Sequence, residues 1–342
     1  MIKAAAVQAI PAFLDKERGV ELTIEWMEKA AAQGVELLAF PELWIPGYPF
    51  WIWLGGPFAN VSMVPRYTSQ ALASDGPELA AIAVAARRLG LAVVLGFAEM
   101  AGASLYMAQV LIGPDGSLVT RRKLKPTSAE RTLFGDGDGS DLLVRTFGDV
   151  RVGALNCWEH IQPLFKQALY SMGEQIHVAS WPSFCLFPGV AHAMGAEATT
   201  AINTVYALEG QCYVVASSFV MTEAIRETGS LDPAMRDAVV PGGGASAIFA
   251  PDGQRLTAPI APDAEGLVIA DCDPVAITIA KSVADPSGHY GRPDVVSMTL
   301  DPTPRAILKI EGRSQSRVYG SATDVSASAA ELEEFGNEGH RS

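Results

Sequence analysis

The stretch Val150–Trp158, VRVGALNCW, places a cysteine at the end of a short apolar strand. The turn pair Gly148-Asp149 precedes it, and the apolar residues that follow predict a buried strand running directly into Cys157. The next segment, EHIQPLFKQALYSMG, has apolar residues at helical spacing and closes on Gly173, which predicts a helix. The sequence therefore predicts a thiol on a strand-to-helix elbow, where helix N–H groups point at it. A buried structural cysteine is the alternative, since free cysteine is among the most buried residue types.

The composition predicts a globular protein with a large core. The chain has 342 residues, of which 49% are hydrophobic, and this is enough for one large α/β domain or two smaller ones. Its net charge of −13 repels phosphate backbones and anionic membranes, and its largest basic cluster is Arg121-Arg122-Lys123. We therefore expect neither nucleic acid nor a membrane as a partner.

The N-terminus and the cysteines indicate the compartment. The segment MIKAAAVQAI lacks a charged region followed by a long apolar run, and no run of roughly 18 or more uncharged apolar residues occurs, so we expect a cytoplasmic protein. The four cysteines form no C-x-x-C pair, and the five histidines lack metal-ligand spacing. We therefore expect free thiols, no metal and no cofactor.

The N-terminal part of the chain alternates strands with helices. Strands are predicted at Ile2–Ile10, Val35–Phe40 and Leu91–Glu99, with helices at Asp15–Ala32 and Pro77–Gly90 between them. The second strand is apolar on both faces after its first residues, as expected of a strand covered on both sides. This alternation favours parallel pairing of the strands.

Two hairpins are predicted around similar turns. Tyr106–Ile112 and Ser117–Arg122 flank the turn GPDG, and Ala245–Phe249 and Arg255–Thr257 flank the turn PDG. Between the hairpins, GDGDGSD at 135–141 predicts a turn-rich connection, because the glutamate that a calcium loop needs near its twelfth position is missing.

The remaining elements suggest one domain and a tail. Further strands are predicted at Gln175–Trp181, Cys212–Ser217 and Leu267–Asp271, and a further helix at Ala191–Gly210. No linker divides the chain before residue 302, where it becomes rich in Ser, Glu and Gly. We therefore expect a domain at 1–301 and a tail at 302–342, in which Gly320–Ser342 is mobile or contacts a neighbouring subunit.

Three predicted strand ends carry reactive side chains. Glu42, Lys123 and Cys157 each follow an apolar strand, and ligand-handling residues gather at such ends in open α/β sheets. Each charge alone is more often a solvated surface group. Together, however, they supply a thiol, a base to remove its proton and a cation to stabilise the anion that forms. Lys125 would share a face with Lys123 on an extended segment, so spacing alone leaves both lysines as candidates.

Several blocks of the sequence resemble one known family. FPELWIPGYPFWIW, RRKLKPTSAER and ALNCWEHIQPLFKQALYSMGEQIHVASWP resemble the three signature blocks of the nitrilase branch of the carbon–nitrogen hydrolases. Further blocks are similar at YALEGQCYVVAS, PGGGASAIFAPDG and GHYGRPDVVSM. The resemblance runs from Ile2 to about Asp301 and matches residue type, order and neighbours in every block.

This resemblance implies a fold and a set of site residues. The fold would be an α/β four-layer α-β-β-α sandwich, dimerised through helices and often extended into spirals. The family's Glu-Lys-Cys triad would fall on Glu42, Lys123 and Cys157, and its additional glutamate on Glu130. The alignment of the blocks favours Lys123 over Lys125.

The resemblance also implies a reaction. A nitrile and water would give a carboxylic acid and ammonia through a thioimidate and then a thioester on Cys157. Glu42 would take the thiol proton, and Lys123 with the backbone N–H of Trp158 would stabilise the developing charge. Glu130 would hold Lys123 and tune Glu42 by like-charge repulsion. Self-association to a dimer or a larger homo-oligomer is expected as well.

Aromatic residues near the strand ends predict the substrate class. The residues expected to bind substrate are Tyr48, Trp51, Trp158, Trp181 and Phe184. Other aromatics of the same segments, such as Trp53, belong to the pocket, the core or an interface. CWEHIQPL and VASWPSF resemble the arylacetonitrilases, which favours an arylaliphatic nitrile, although close variants also occur in relatives that convert cyanide or aliphatic nitriles.

Alternative functions remain at this point. Glu159 and His160 follow the elbow and suggest a Cys–His pair, but such pairs are recognised by geometry and not by adjacency. An amidase of the same superfamily would use the same triad on a carboxamide. A catalytically silent assembly scaffold is the alternative outside the enzymes, and an intact triad argues against it. The other three cysteines, Cys185, Cys212 and Cys272, are assigned to packing.

Overall fold

The structure is a computed structural model that describes residues 1–56, 58–229 and 233–305. Residues Met1–Pro302 form one compact unit. The predicted tail is described only to residue 305, so the expectation for Gly320–Ser342 concerns residues outside the described part.

The N-terminal half of the unit supplies most of the first sheet. Its elements are β1 (Ile2–Gln8), α1 (Lys16–Ala31), β2 (Leu37–Ala39), α2 (Met63–Thr68), α3 (Pro77–Leu89), β3 (Ala92–Ala101), β4 (Ser104–Ile112), β5 (Leu118–Arg122) and β6 (Phe134–Gly135). Helix α1 begins where Asp15 accepts a hydrogen bond from the Arg18 N–H, and α3 ends where Gly90 adopts a left-handed conformation.

The second half supplies the second sheet and one more strand of the first. Its elements are β7 (Val144–Phe147), β8 (Val150–Asn156), α4 (Pro163–Ser171), β9 (Ile176–Trp181), α5 (Ala196–Gly210), β10 (Tyr213–Ser218), α6 (Glu223–Gly229), β11 (Ala247–Phe249), β12 (Gly266–Cys272) and α7 (Pro274–Val283). The first sheet has the order β12-β1-β2-β3-β4-β5, with β6 beside β4, and the second has the order β11-β10-β9-β8-β7.

Alternate residues of the central strands face different layers. Ala5 and Val7 of β1 pack in a cluster with α1 and α3, whereas Ala4 and Ala6 pack in the cluster between the two sheets. In the second sheet, β8, β9 and β10 share that inner cluster and pack their other face against α4 and α5. The layers are therefore helix, sheet, sheet and helix, which confirms the predicted α-β-β-α sandwich and explains why its strands are apolar on both faces.

Strand pairing confirms the parallel core of the first sheet and the first hairpin. Strand β2 pairs in parallel with both β1 and β3, and β4 pairs antiparallel with β5. The long antiparallel pairing of β3 with β4 was not predicted from the sequence. In the second predicted hairpin, only the bridge between Phe249 and Arg255 forms, so Arg255–Thr257 is not a regular strand.

The helix predicted directly after Cys157 is interrupted. A 3-10 turn covers Cys157–Ile161, and α4 begins only at Pro163. Gln162 between them is extended, with φ −90° and ψ 103°, because the residue before a proline is disfavoured in the helical region. The prediction of one continuous helix from Glu159 was therefore wrong.

Candidate active site

Cys157 follows β8 in a strained conformation. Its φ is 46°, in the left-handed region that non-glycine residues rarely adopt, and this turns the chain sharply out of the sheet. Burial raises the pKa of its thiol well above the ordinary range, and the charge of Glu42 raises it further. The charge of Lys123 and the backbone N–H of Trp158 act in the opposite direction. The thiol is therefore neutral at rest and needs a base to become a nucleophile.

Lys123 lies between two carboxylates. Its Nζ donates to Glu42 Oε1 at 2.9 Å and to Glu130 Oε2 at 2.7 Å, and none of the three side chains is more than 1% exposed. Burial disfavours the charged amine, but the charges of Glu130 and Glu42 outweigh it and raise the pKa of Lys123. The amine therefore stays an ammonium ion beside the thiol.

Only one of the two carboxylate oxygens of Glu42 accepts a hydrogen bond within the described residues. Oε1 accepts from Lys123, whereas Oε2 is buried and meets no hydrogen-bond donor in the described part of the chain. Burial raises the pKa of Glu42 to about 8, although Lys123 opposes the rise. A carboxylate with a free oxygen and a pKa near neutrality is suited to take a proton from a neighbouring thiol.

Glu130 connects the lysine to the aromatic segment. Its Oε2 accepts from the Thr127 N–H at 2.6 Å as well as from Lys123. Its Oε1 accepts from the Tyr48 hydroxyl at 2.7 Å, and that hydroxyl accepts from Trp53 Nε1 at 3.0 Å. Glu130 is thereby fixed on both oxygens and holds the ammonium group in place.

Lys125 does not join this cluster. Its side chain is 53% exposed and pairs with Asp136 at 2.7 Å, whereas Lys123 is fully buried. The chain leaves β5 at residue 122, so the segment does not keep the strand geometry that would place both lysines on one face.

Glu159 ties the elbow to the lysine segment. Arg121 donates to both of its oxygens, at 2.7 and 3.0 Å. The same carboxylate accepts from the Asn156 N–H, before the cysteine, and from the Leu124 N–H, after the lysine, both at 2.8 Å. Burial opposes ionisation, but Arg121 and these N–H groups lower the pKa of Glu159. Glu159 therefore acts as a structural anion between the two segments.

His160 faces the backbone of Cys157 rather than its sulfur. Its Nδ1 lies 2.5 Å from the Cys157 carbonyl oxygen. Arg121 holds Glu159. Neither His160 nor Glu159 therefore takes part in the Cys–His pair considered from the sequence.

A cavity of about 210 Å³ opens beside the thiol. Four of the five aromatics expected to bind substrate line this cavity: Tyr48, Trp158, Trp181 and Phe184. Trp53 lines it as well. Trp51 is the exception, because it is 2% exposed and packs edge to face on Tyr67 in the core. Its assignment to the pocket was therefore wrong.

The family model for carbon-nitrogen hydrolases matches residues 3–281 of this chain. The chain belongs to the carbon–nitrogen hydrolase family. A nitrilase from Pseudomonas syringae pv. syringae is 49% identical over 89% of this chain and 90% of its own length. An aliphatic nitrilase from Rhodococcus rhodochrous is 45% identical over 93% of this chain and 85% of its own length. An arylacetone-specific nitrilase from Alcaligenes faecalis is 45% identical over 88% of this chain and 85% of its own length.

Solved structures share the fold of this carbon–nitrogen hydrolase. A superfamily member from Xanthomonas campestris superposes with a TM-score of 0.66 at 18% identity, covering 88% of this chain and 99% of its own. An amidase from Nesterenkonia sp. AN1 superposes with a TM-score of 0.57 at 17% identity, covering 83% and 98%.

Several cavity residues of this hydrolase were not predicted from its sequence. Ser183, Leu186, Met194 and Thr199 all line the cavity. They come from the loop after β9 and the start of α5; Ser183 lies in the block VASWPSF, and no motif marks the other three. The proximity of Arg121 to the elbow was also missed, since a basic residue inside a predicted strand gives no sign of its partner.

No helix within the described ranges is long and apolar enough to cross a bilayer. The cytoplasmic location expected from the sequence stays a prediction.

Proposed function

We propose that this carbon–nitrogen hydrolase is a nitrilase that converts an organic nitrile and two waters into a carboxylic acid and ammonia. The observation that carries the proposal is the buried Glu42–Lys123–Glu130 cluster beside a neutral thiol at an apolar cavity. The nitrilases that are 45–49% identical to this chain over most of its length support the same reaction.

Cys157 is the nucleophile of the proposed reaction. Oε2 of Glu42 takes the proton from Sγ, and the sulfur forms a bond to the nitrile carbon. The nitrile nitrogen gains the electron pair of the broken π bond and takes the proton from Glu42, which gives a thioimidate and returns Glu42 to its carboxylate form. The free oxygen of Glu42 and its raised pKa support its assignment as the base.

Two waters complete the reaction. The first adds to the thioimidate carbon and forms a tetrahedral intermediate, which expels ammonia and leaves a thioester. A second water, activated by Glu42, cleaves the thioester and returns the thiol with release of the acid. Lys123 and the Trp158 N–H stabilise the charge on the tetrahedral species, and Glu130 holds Lys123 where it can do so.

The cavity favours a nitrile with an aryl group. Tyr48, Trp158, Trp181 and Phe184 supply aromatic surface around the thiol, and ring-on-ring contact adds to the gain from burying apolar area. A volume of about 210 Å³ suits a small arylaliphatic nitrile better than a drug-sized ligand.

A panel of substrates tests both the nitrilase activity and the preference for an aryl group. Purified protein is incubated with phenylacetonitrile, benzonitrile, a short aliphatic dinitrile, cyanide and the matching carboxamides, and ammonia is assayed. The highest kcat/KM is expected for phenylacetonitrile. A lead for cyanide or the dinitrile would overturn the aryl preference and leave the nitrilase in place. Turnover of the amides alone would make the protein an amidase, and no turnover of any compound would favour a silent scaffold.

We also propose that the chain self-associates through its α4, α5 and α7 layer. Large apolar side chains are exposed there: Leu164, Val205, Leu208, Val275, Ile279 and Val283. The Lys166–Glu209 ion pair joins α4 to α5, and Gln211 at the end of α5 donates to the Ala280 carbonyl of α7. Exposed apolar side chains on neighbouring helices of one layer are typical of a subunit interface.

A further inference from the structure

A chain of buried polar side chains leads away from the carbonyl of Cys157. His160 Nδ1 lies 2.5 Å from that carbonyl oxygen, and His160 Nε2 lies 3.0 Å from His177 Nε2. His177 Nδ1 lies 2.9 Å from Glu174 Oε2, and Tyr206 donates to Glu174 Oε1 at 2.6 Å. All four side chains are at most 2% exposed. The proposed reaction leaves these residues without a role.

The hydrogen positions in this chain follow from its first acceptor. A carbonyl can only accept, so Nδ1 of His160 carries the hydrogen. In a neutral ring, Nε2 of His160 is then an acceptor, so Nε2 of His177 must donate to it. One further proton is shared between His177 Nδ1 and Glu174, and Tyr206 donates to the remaining oxygen.

The surroundings favour the uncharged form of this chain. Burial lowers the pKa of His160 well below the ordinary range, and the neighbouring His177 lowers it further. Burial also lowers the pKa of His177 well below the ordinary range, and there the charge of Arg121 acts in the same direction. Burial raises the pKa of Glu174 to about 8. Near neutral pH the acid therefore keeps its proton and donates it to His177, and both imidazoles stay neutral.

The hydrogen bond at the Cys157 carbonyl acts on a catalytic group of the same peptide. In a trans peptide, the C=O of Cys157 and the N–H of Trp158 lie in one plane and point in opposite directions. Holding the carbonyl therefore fixes the direction of the Trp158 N–H, which favours the thiolate of Cys157. Donation to the carbonyl also polarises the amide and makes its N–H a stronger donor. The residue needs such support, because its φ of 46° is strained.

We propose that His160 is a positioning residue that holds and polarises the Cys157–Trp158 peptide plane, with His177 and Glu174 fixing the tautomer that donates. The inference rests on the proposed function, since it gives His160 a part in the same reaction. His160 also stacks on Trp181 of the cavity wall, with ring centroids 4.8 Å apart, so a test must separate stacking from hydrogen bonding.

The first pair of variants separates these two effects. His160→Phe keeps a flat ring against Trp181 but removes the donor, whereas His160→Asn loses the ring and can place an amide N–H near the position of Nδ1. We expect kcat per mole of folded protein to fall about tenfold or more in His160→Phe with little change in KM, because one stabilising donor is weakened and not removed. His160→Asn should recover part of kcat. Equal kcat in His160→Phe and wild type, or no recovery in His160→Asn, would overturn the proposal.

A second pair tests the tautomer and does not depend on the folding of the first. His177→Gln can keep a donor at the position of Nε2, whereas His177→Leu removes it and frees His160 to move its hydrogen to Nε2. His177→Gln should retain clearly more kcat than His177→Leu. The reverse order would contradict the assignment. Tyr170→Phe is the matched control, because it keeps the ring that packs on Tyr206 and removes only a hydrogen bond to the Tyr206 backbone carbonyl, leaving every side-chain hydrogen bond between Tyr206 and Cys157 in place; it should lower thermal stability and leave kcat unchanged.

Alkylation of Cys157 by iodoacetamide, followed by peptide mapping, gives a readout without any nitrile. His160→Phe should slow it severalfold, because the Trp158 N–H favours the thiolate. Slowed alkylation in a protein that hydrolyses no nitrile would refute the proposed function and keep the positioning role. Unchanged alkylation together with unchanged kcat in a working nitrilase would refute the positioning role alone.

Discussion

Lys123 and Lys125 are two residues apart and have opposite environments. The first is fully buried between two carboxylates, and the second is half exposed on Asp136. A buried cation beside the reacting thiol stabilises charge in the transition state, whereas an exposed ion pair contributes little.

Lys123→Ala should therefore lower kcat/KM on phenylacetonitrile by about 100-fold or more, as loss of an oxyanion donor does elsewhere. Lys125→Ala is the matched control and should stay close to wild type. Circular dichroism of both variants checks that they are folded. If Lys125→Ala proved the more damaging, the catalytic cation would have to be reassigned.

The raised pKa of Glu42 predicts the acid limb of the pH profile. Only the carboxylate can accept the thiol proton, so the rate should rise as pH increases through the pKa of about 8. Below that pH the group is protonated and the rate falls. The logarithm of kcat/KM, measured on one nitrile from about pH 6 to 9, should show this rise. A flat profile across that range would show that proton transfer to Glu42 does not limit the reaction. The variant Glu42→Gln, which has no carboxylate to accept the proton, should be inactive at every pH in the range.

At the scale of elements, the sequence predicted what depends on local pattern. Strands covered on both sides appear as apolar runs, and the hairpin of β4 and β5 is marked by its GPDG turn. The pairing of β3 with β4 was missed because Gly102, which takes the left-handed conformation at that turn, is flanked by alanines and carries no second turn residue. The break after Cys157 was also missed, although it lies before Pro163, where the residue preceding a proline leaves the helical region.

Features that depend on distant packing could not be predicted. Tyr48 and Trp51 lie three residues apart in one aromatic segment, yet one lines the cavity and the other is in the core. Which of them faces the thiol is set by the way the segment folds over the first sheet. His177 likewise lies in a strand of ordinary appearance, and only its contacts with His160 and Glu174 reveal the buried polar chain.

Gly96 of β3 gives a prediction at this scale. A Cβ there would lie 2.3 Å from the Pro41 carbonyl oxygen and 3.0 Å from the Cα of Glu42. Gly96→Ala should therefore displace the segment that carries the base, and both kcat and the melting temperature should fall. Gly56→Ala is the control, because nothing lies within 4 Å of its Cβ. Wild-type kcat in Gly96→Ala would show that the position of Glu42 tolerates this shift.

For the whole molecule, the apolar face of α4, α5 and α7 predicts an assembly of at least two chains. Multi-angle light scattering at micromolar concentration should report a mass of two chains or more. Replacing Leu164 and Ile279, which are 66% and 61% exposed, by aspartate should shift the particle toward a single chain. A wild-type particle with the mass of one chain would contradict the proposed interface.

The central claim is that Cys157 is the nucleophile of a nitrile-hydrolysing enzyme, and ammonia release from phenylacetonitrile by Cys157→Ala tests it most directly. Cys185→Ala serves as the matched control, since Cys185 is equally a buried free thiol but lies outside the cavity lining. We predict that Cys157→Ala releases no ammonia above the background without enzyme, while Cys185→Ala retains most of the wild-type rate. Ammonia release by Cys157→Ala at a rate near that of the wild type would contradict the claim.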